Sequence, residues 1–396
     1  MTDFKTTINR KNTHSVKWDD IDSSYNIQHG SDILPMWIAD MDFSAPNSVI
    51  NALKDRIQHG VFGYTFLDDD GKGAVQQWVK KKHDWDIEKS WIHVHSGVVS
   101  ALASIIDTFT QEKDGVLITP PVYPPFAHLP ENMGRELIEC NLVEDNGDYS
   151  IDFHAFEQAL KKNVKVFLLC NPHNPGGIVW KDDVLHKIVT LCENYNVLIV
   201  SDEIHSDLVF SDYKHTPLSK IAKGYNSHII TCIAPTKTFN LAGIQTAFTV
   251  ASNDKINDKL SKYKKKIGIM GTDRLSPFAE VAIRAAYKDG EIWIQDLLDT
   301  VSQNMDYVIN ELEAYIPGIK IKKPESTYLL WIDYRNLDIE EEEIMSKLLN
   351  LGGLALEPGS KYGDTGKGFL RMNVACSYET VKEAVSRFKR AVSVIN

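Results

Sequence analysis

From about residue 91 to residue 250, short apolar runs rich in β-branched residues alternate with amphipathic stretches. The runs at 116–119, 164–169, 197–200 and 229–233 contain few polar residues. That composition suits strands buried on both faces. Between them, segments such as Asp183-Val184-Leu185-His186-Lys187-Ile188-Val189 repeat their apolar positions at helical spacing. The alternation predicts a largely parallel sheet covered by helices. The first 45 or so residues read as an arm, polar and weakly periodic, that runs into an extended segment at 35–43. Pro46 suits the first position of a helix at 47–53, with Ser44 as its cap. The C-terminal third changes character. A long charged helix at about 291–315, a strand around 328–333, a helix opening on Glu340-Glu341-Glu342-Glu343 and a final helix from Tyr378 predict a separate, smaller α+β unit. The chain has no internal repeat and no low-complexity segment.

At 396 residues the chain is long enough for two domains with large cores. A formal charge of -11 argues against a nucleic-acid or anionic-membrane partner. No apolar run approaches the roughly 20 residues that span a bilayer. The start, Met1-Thr2-Asp3-Phe4-Lys5, lacks the apolar stretch of a signal peptide, so a cytoplasmic location is expected. The five cysteines are scattered and form no C-x-x-C pair, which suggests neither a disulfide framework nor a metal site.

Three signals then follow one another along the chain. Asn171-Pro172-His173-Asn174-Pro175-Gly176 is a turn after a predicted strand. Asp202 ends the run 197–201, at the carboxyl end of a strand, where open α/β sheets bind ligands. Lys237 lies in Ala234-Pro235-Thr236-Lys237-Thr238-Phe239-Asn240. An amine, a strand-end carboxylate and an asparagine turn are what pyridoxal 5'-phosphate chemistry requires. The lysine forms a Schiff base with the aldehyde, and the carboxylate keeps the pyridine nitrogen protonated. Asn174 could donate to the cofactor's phenolate oxygen; an ordinary turn residue is the alternative. In His95-Ser96-Gly97-Val98, Gly97 permits close backbone approach and the helix start suits a phosphate. Tyr123 could stack on the pyridine or serve as an amphipathic core residue. Arg371 is a lone cation in the apolar segment 369–374 and needs a partner. A substrate carboxylate gripped in two hydrogen bonds would supply one; a structural salt bridge is the alternative.

The chain resembles a fold-type I pyridoxal-phosphate enzyme of the class I/II aminotransferase superfamily, and within it the cystathionine β-lyase (cysteine-S-conjugate β-lyase) branch. The branch markers are the run Leu34-Pro35-Met36-Trp37-Ile38-Ala39-Asp40-Met41-Asp42-Phe43, Phe62-Gly63-Tyr64, Ser201-Asp202-Glu203-Ile204-His205 and the asparagine and lysine motifs above. The resemblance implies an α/β large domain at 46–288 with a mainly parallel seven-stranded sheet, and a small α+β domain at 289–396 joined by the arm, 1–45. It also implies that Lys237 carries the cofactor, Asp202 faces the pyridinium, Asn174 meets the ring oxygen and Tyr123 stacks. Gly97, Val98 and Thr236 would hold the phosphate, with Tyr64 reaching it from the other subunit of a homodimer. Arg371, Ala39 and Tyr64 would contact the substrate.

Two departures from ordinary aminotransferases accompany this. His205 stands where many of them carry a tyrosine that binds the ring oxygen. Gln245 replaces the phosphate-gripping arginine often found eight residues after the lysine. Both fit the lyase branch. The expected activity is cleavage of L-cystathionine or a related cysteine S-conjugate to a thiol, pyruvate and ammonia. Aminotransfer to or from an L-amino acid is the alternative, because the same lysine and aspartate serve both.

Overall fold

The computed structural model describes residues 3–27, 32–222, 224–269 and 273–393. Seven strands build the central sheet: β1 (Ile92–His95), β2 (Gly115–Ile118), β3 (Glu136–Glu139), β4 (Val164–Cys170), β5 (Leu198–Asp202), β6 (Ile229–Ile233) and β7 (Ala247–Val250). Their spatial order is β1-β7-β6-β5-β4-β2-β3. All run parallel except β7, which is antiparallel to both of its neighbours. Alternate residues of a strand point to opposite faces, and here both faces are covered. Phe167, Leu169 and Ile199 pack with Leu185 and Ile188 of α4 (Asp182–Asn194). Val166, Leu168 and Val200 pack with Leu102 and Ile105 of α3 (Val98–Phe109) and Leu260 of α6 (Asp254–Lys266). This explains why the strand runs are almost continuously apolar.

Ahead of the sheet lie α1 (Asn47–His59) and α2 (Asp69–His83). A single helical turn, α5 (Pro235–Thr238), follows β6, and α7 (Pro277–Asp289) packs on α1 and α2. The C-terminal third opens with the predicted long helix, α8 (Glu291–Tyr315). It continues into an antiparallel sheet of β8 (Leu329–Asp333), β10 (Phe369–Asn373) and β9 (Glu357–Pro358), in that order, and closes with α9 (Tyr378–Val392). The arm is tied to this part: Leu34–Pro35 pairs in parallel with Leu354–Ala355. No helix among the described residues is long and apolar enough to cross a membrane. All five cysteines are buried and unpaired.

Two local expectations fail. The arm is not featureless, because Val16–Asp19 and Ile21–Tyr25 are helical. Segments of four or five residues are too short to show a period. Ser44 does not cap α1 either. Pro46 takes the N-cap position with extended geometry and no side-chain cap bond, while the Ser44 carbonyl accepts from Trp293 Nε1 at 3.2 Å.

Candidate active site

Asp202 is the last residue of β5, paired in register with Cys170 on β4 and Cys232 on β6. Its side chain is buried at the carboxyl ends of the parallel strands, where, among the described residues, Oδ1 accepts only a long 3.3 Å bond from the Ile204 N–H. Burial pushes its carboxyl up to about 7; the Ile204 N–H and Lys237 pull the other way. A carboxylate this poorly served in a dry site favours a cationic neighbour.

Lys237 sits on α5, the turn that begins at Pro235 next to the end of β6. Its Nζ donates to the Ala39 carbonyl at 2.5 Å. Burial lowers the amine to about 8, aided by the Arg371 cation and opposed by Asp40, Asp202 and Glu357. A minor fraction of it, far more than of an ordinary lysine, is therefore neutral and nucleophilic near neutral pH.

Arg371 is buried on β10 but is not a lone cation. Nη2 pairs with the Glu357 carboxylate, directly across the β9–β10 register, and donates to the Trp37 carbonyl at 2.8 Å. Nη1 lies 3.3 Å from Asn174 Oδ1, and Nε has no hydrogen-bond partner among the described residues. The guanidinium stands 5.2 Å over the Tyr362 ring, whose hydroxyl donates to Glu357 at 2.7 Å. The free Nε edge and the weak Asn174 contact leave one side of the fork for a second anion.

The remaining predicted residues divide clearly. Tyr123 is half-buried; burial and Asp202 raise its phenol, so it stays protonated. His205 is buried with Nδ1 unpartnered and its ring 6.4 Å from that of Tyr328. Burial, with Lys237 and Arg371, depresses it to about 3, so its imidazole is neutral. Gly97 precedes α3 at φ 155°, with nothing within 4 Å of where a Cβ would stand. Among the described residues no side chain caps α3, so its first N–H groups, beginning at Val98, lack a side-chain acceptor and suit an anion. Thr236 is half-buried on α5. Tyr64 is the exception: it is 97% exposed, and the Arg274 guanidinium covers its ring at 5.3 Å. The fold does not bring Tyr64 to the site of its own chain.

The arm closes the site as a strap, and sequence reasoning missed its fastenings. The Ala39 carbonyl receives both Lys237 and the Tyr328 hydroxyl, the latter at 2.8 Å. Asn373 Nδ2 donates to the carbonyls of Ile38 and Asp40 at 2.6 Å each. Asn240 Nδ2 holds those of Met41 and Phe43 at 3.0 and 2.8 Å. Asp42 is gripped by Lys17 at 2.8 Å and Arg10 at 2.7 Å, and Arg10 also pairs with Asp40 at 2.8 Å. The only sequence hint was a cluster of charge in an otherwise apolar extended segment.

These features fit a ring with a protonated nitrogen at Asp202, an aldehyde at Lys237 and a phosphate at the α3 N-terminus. Residues 31–388 match the model of the class I and II aminotransferases. The chain belongs to that family. It is 40% identical over 385 residues to cystathionine beta-lyase PatB of Bacillus subtilis strain 168, covering 97% of this chain and 98% of that one. Cystalysin from Treponema denticola, solved with a pyridoxal 5'-phosphate cofactor, superposes with a TM-score of 0.96 at 34% identity over the whole of both chains. The PLP-bound C-S lyase from Staphylococcus hominis gives a TM-score of 0.91 at 28% identity, covering 98% of this chain and 97% of that one. The fold-type I architecture expected from the motifs is thus the one the family shares.

Proposed function

We propose that the protein is a pyridoxal 5'-phosphate-dependent carbon–sulfur β-lyase. It converts L-cystathionine or a related cysteine S-conjugate, with water, to a thiol, pyruvate and ammonia. The observation that carries this reading is the pairing of functions at the strand ends: half-buried Lys237 on α5, fastened to the Ala39 carbonyl, and buried Asp202 at the end of β5, a carboxylate short of donors. The lyase relatives, similar over nearly the full length, set the reaction class. The neutral His205 in place of a ring-oxygen tyrosine supports the same choice.

When bound, the cofactor supplies an electron sink for the charge left at Cα. The chain's residues do the rest. Lys237 would anchor the cofactor and, as a free amine when substrate is bound, would take the Cα proton. Asp202 keeps a proton on the ring nitrogen. Asn174 and His205 would lie toward the ring's oxygen, and Tyr123 would stack on the ring. Gly97, Val98 and Thr236 receive the phosphate. The free edge of Arg371 holds the substrate α-carboxylate, with the Ala39 strap as the facing wall. Loss of the Cα proton drives the thiolate from Cβ.

A homodimer belongs to this reading. Tyr64 is exposed, as are Ile57, Val61, Phe62 and Phe66, its neighbours in sequence. An apolar patch of that kind suits an interface across which Tyr64 reaches the partner's phosphate site.

The test is incubation of pure protein with L-cystathionine in the absence of any keto acid. Pyruvate, ammonia and homocysteine in equal amounts are expected. Turnover that depends on an added keto acid would instead make the protein an aminotransferase.

A further inference from the structure

Behind Lys237 lies a second set of buried charged groups that none of the steps above uses. Asp207 follows β5 in the turn that leaves the site, and its side chain is only 7% exposed. A carboxylate can only accept, and three donors converge on it. His83 Nε2 donates to Oδ1 at 2.8 Å; Trp78 Nε1 and the Thr238 hydroxyl donate to Oδ2 at 3.0 and 2.8 Å. Burial works against the charge, but the bonds from His83, Thr238 and Trp78 outweigh it and hold the carboxyl below its usual range. The neighbouring Glu203 is fastened in the same way, by Ser201 Oγ at 2.7 Å, the Leu218 N–H at 3.0 Å and His215 Nε2 at 3.0 Å. The His83 and His215 rings meet edge to face at 5.4 Å.

Two of the three donors to Asp207 come from a different part of the chain than the third. Trp78 and His83 belong to α2, whereas Thr238 is the last residue of α5, immediately after Lys237. A turn of four residues cannot hold its own shape. Nucleating a helix fixes several residues for very few bonds, and α5 has no side-chain cap. Successive helical residues point about 100° apart, so a hydroxyl fastened on one side of the turn fixes the direction of the lysine on the other. Thr238 is fully buried, and its hydroxyl's partner is the Asp207 carboxylate.

We propose that Asp207 is the positioning residue for Lys237: by holding the Thr238 hydroxyl against α2, it sets the direction from which the Lys237 amine meets the cofactor and the substrate Cα. The proposal rests on the reading that Lys237 anchors the cofactor.

The test compares two single-donor deletions at the same carboxylate in the full-length protein. Trp78→Phe and Thr238→Val each remove one hydrogen bond to Asp207, but only the second removes a bond made by a residue of α5; Trp78→Phe keeps an aromatic ring against Phe239, the residue that ends the turn. Three quantities are read: Tm of the cofactor-free protein, the rate at which Lys237 captures pyridoxal 5'-phosphate, and kcat and KM for L-cystathionine. Capture is followed by absorbance and by borohydride trapping located on Lys237 by mass spectrometry. Both variants should lower Tm, Trp78→Phe the more because it also empties core volume. Thr238→Val alone should slow capture and kcat at least tenfold, with KM within twofold of wild type, and Thr238→Ser should restore both to within threefold. Asp207→Asn should slow capture as Thr238→Val does, and the double variant no further than either single change, because the two act as one unit. If Thr238→Val captures the cofactor at the wild-type rate, or if Trp78→Phe slows capture as much, Asp207 is a stabilising anchor only. Wild type that never captures the cofactor overturns the anchoring role of Lys237 as well. Wild type that captures it but releases no pyruvate overturns the lyase reading alone, and the capture rates still decide the role of Asp207.

Discussion

At the scale of single residues, the site is governed by how burial shifts proton affinity. Lys237→Ala removes the anchor and the base together, so it should lose covalent cofactor capture and about a thousandfold or more in turnover. Trapping with borohydride followed by mass spectrometry, alongside pyruvate release, checks both. Asp202 makes a pH prediction for the cofactor-free protein. Burial raises its carboxyl to about 7 from the ordinary 3.8, so between those values the folded protein holds a proton that the unfolded chain has lost. Stability should therefore fall as pH rises through that window. Asp202→Asn should flatten the fall, and a Tm series from pH 4 to pH 8 with and without the substitution measures it; identical slopes would mean that Asp202 is better solvated than the fold implies. Arg371 should discriminate by carboxylate even though Glu357 occupies part of its fork. Losing such a charge-assisted pair costs about 2–5 kcal/mol when the partner is left unpaired. Wild type should strongly prefer L-cystathionine over the analogue whose cysteine-side carboxylate is an amide, and Arg371→Ala should not. Equal preference in the two proteins would make Arg371 a structural partner of Glu357.

At the scale of elements, the strap at 37–43 shows why side-chain fastenings matter more than secondary structure here. It has no sheet partner beyond the short pairing of Leu34–Pro35 with Leu354–Ala355, so its carbonyls are satisfied by Arg371, Asn373, Lys237, Tyr328 and Asn240. Buried carbonyls left unpaired are costly, and this set of donors holds the strap to both parts of the molecule. Lys17, fully buried, depends on Asp42 at 2.8 Å. Asp42→Ala should destabilise the protein by about 3 kcal/mol, since removing one partner of a buried pair strands the other. Urea unfolding monitored by tryptophan fluorescence measures this; a change under about 1 kcal/mol would mean that Lys17 finds adequate solvent or Asp40 instead. The helix-start site is the opposite case. Gly97 and the uncapped α3 form a locally encoded feature, and the glycine followed by an apolar helix was visible in the sequence.

At the scale of the whole molecule, the exposed Tyr64 patch predicts function across two subunits. Mixing inactive Lys237→Ala with inactive Tyr64→Ala protein should recover activity, because one site of each heterodimer would carry both native residues. Recovery is read as pyruvate release after verified subunit exchange; none at all would assign Tyr64 to some other task. The sequence by itself determined the alternation of strands and helices and the order of the asparagine, aspartate and lysine motifs. These depend on short-range composition and on where a chain leaves a strand, both local properties. Only the tertiary structure decided that Arg371 faces Glu357, that Tyr328 and Lys237 share the Ala39 carbonyl, and that Thr238 hangs from Asp207. Each of these contacts joins residues separated along the chain, from 14 positions for Glu357 and Arg371 to 289 for Tyr328 and Ala39. The shifts of Lys237 and Asp202 were likewise invisible in sequence, because desolvation exists only once the strap, β5 and α5 have closed around them.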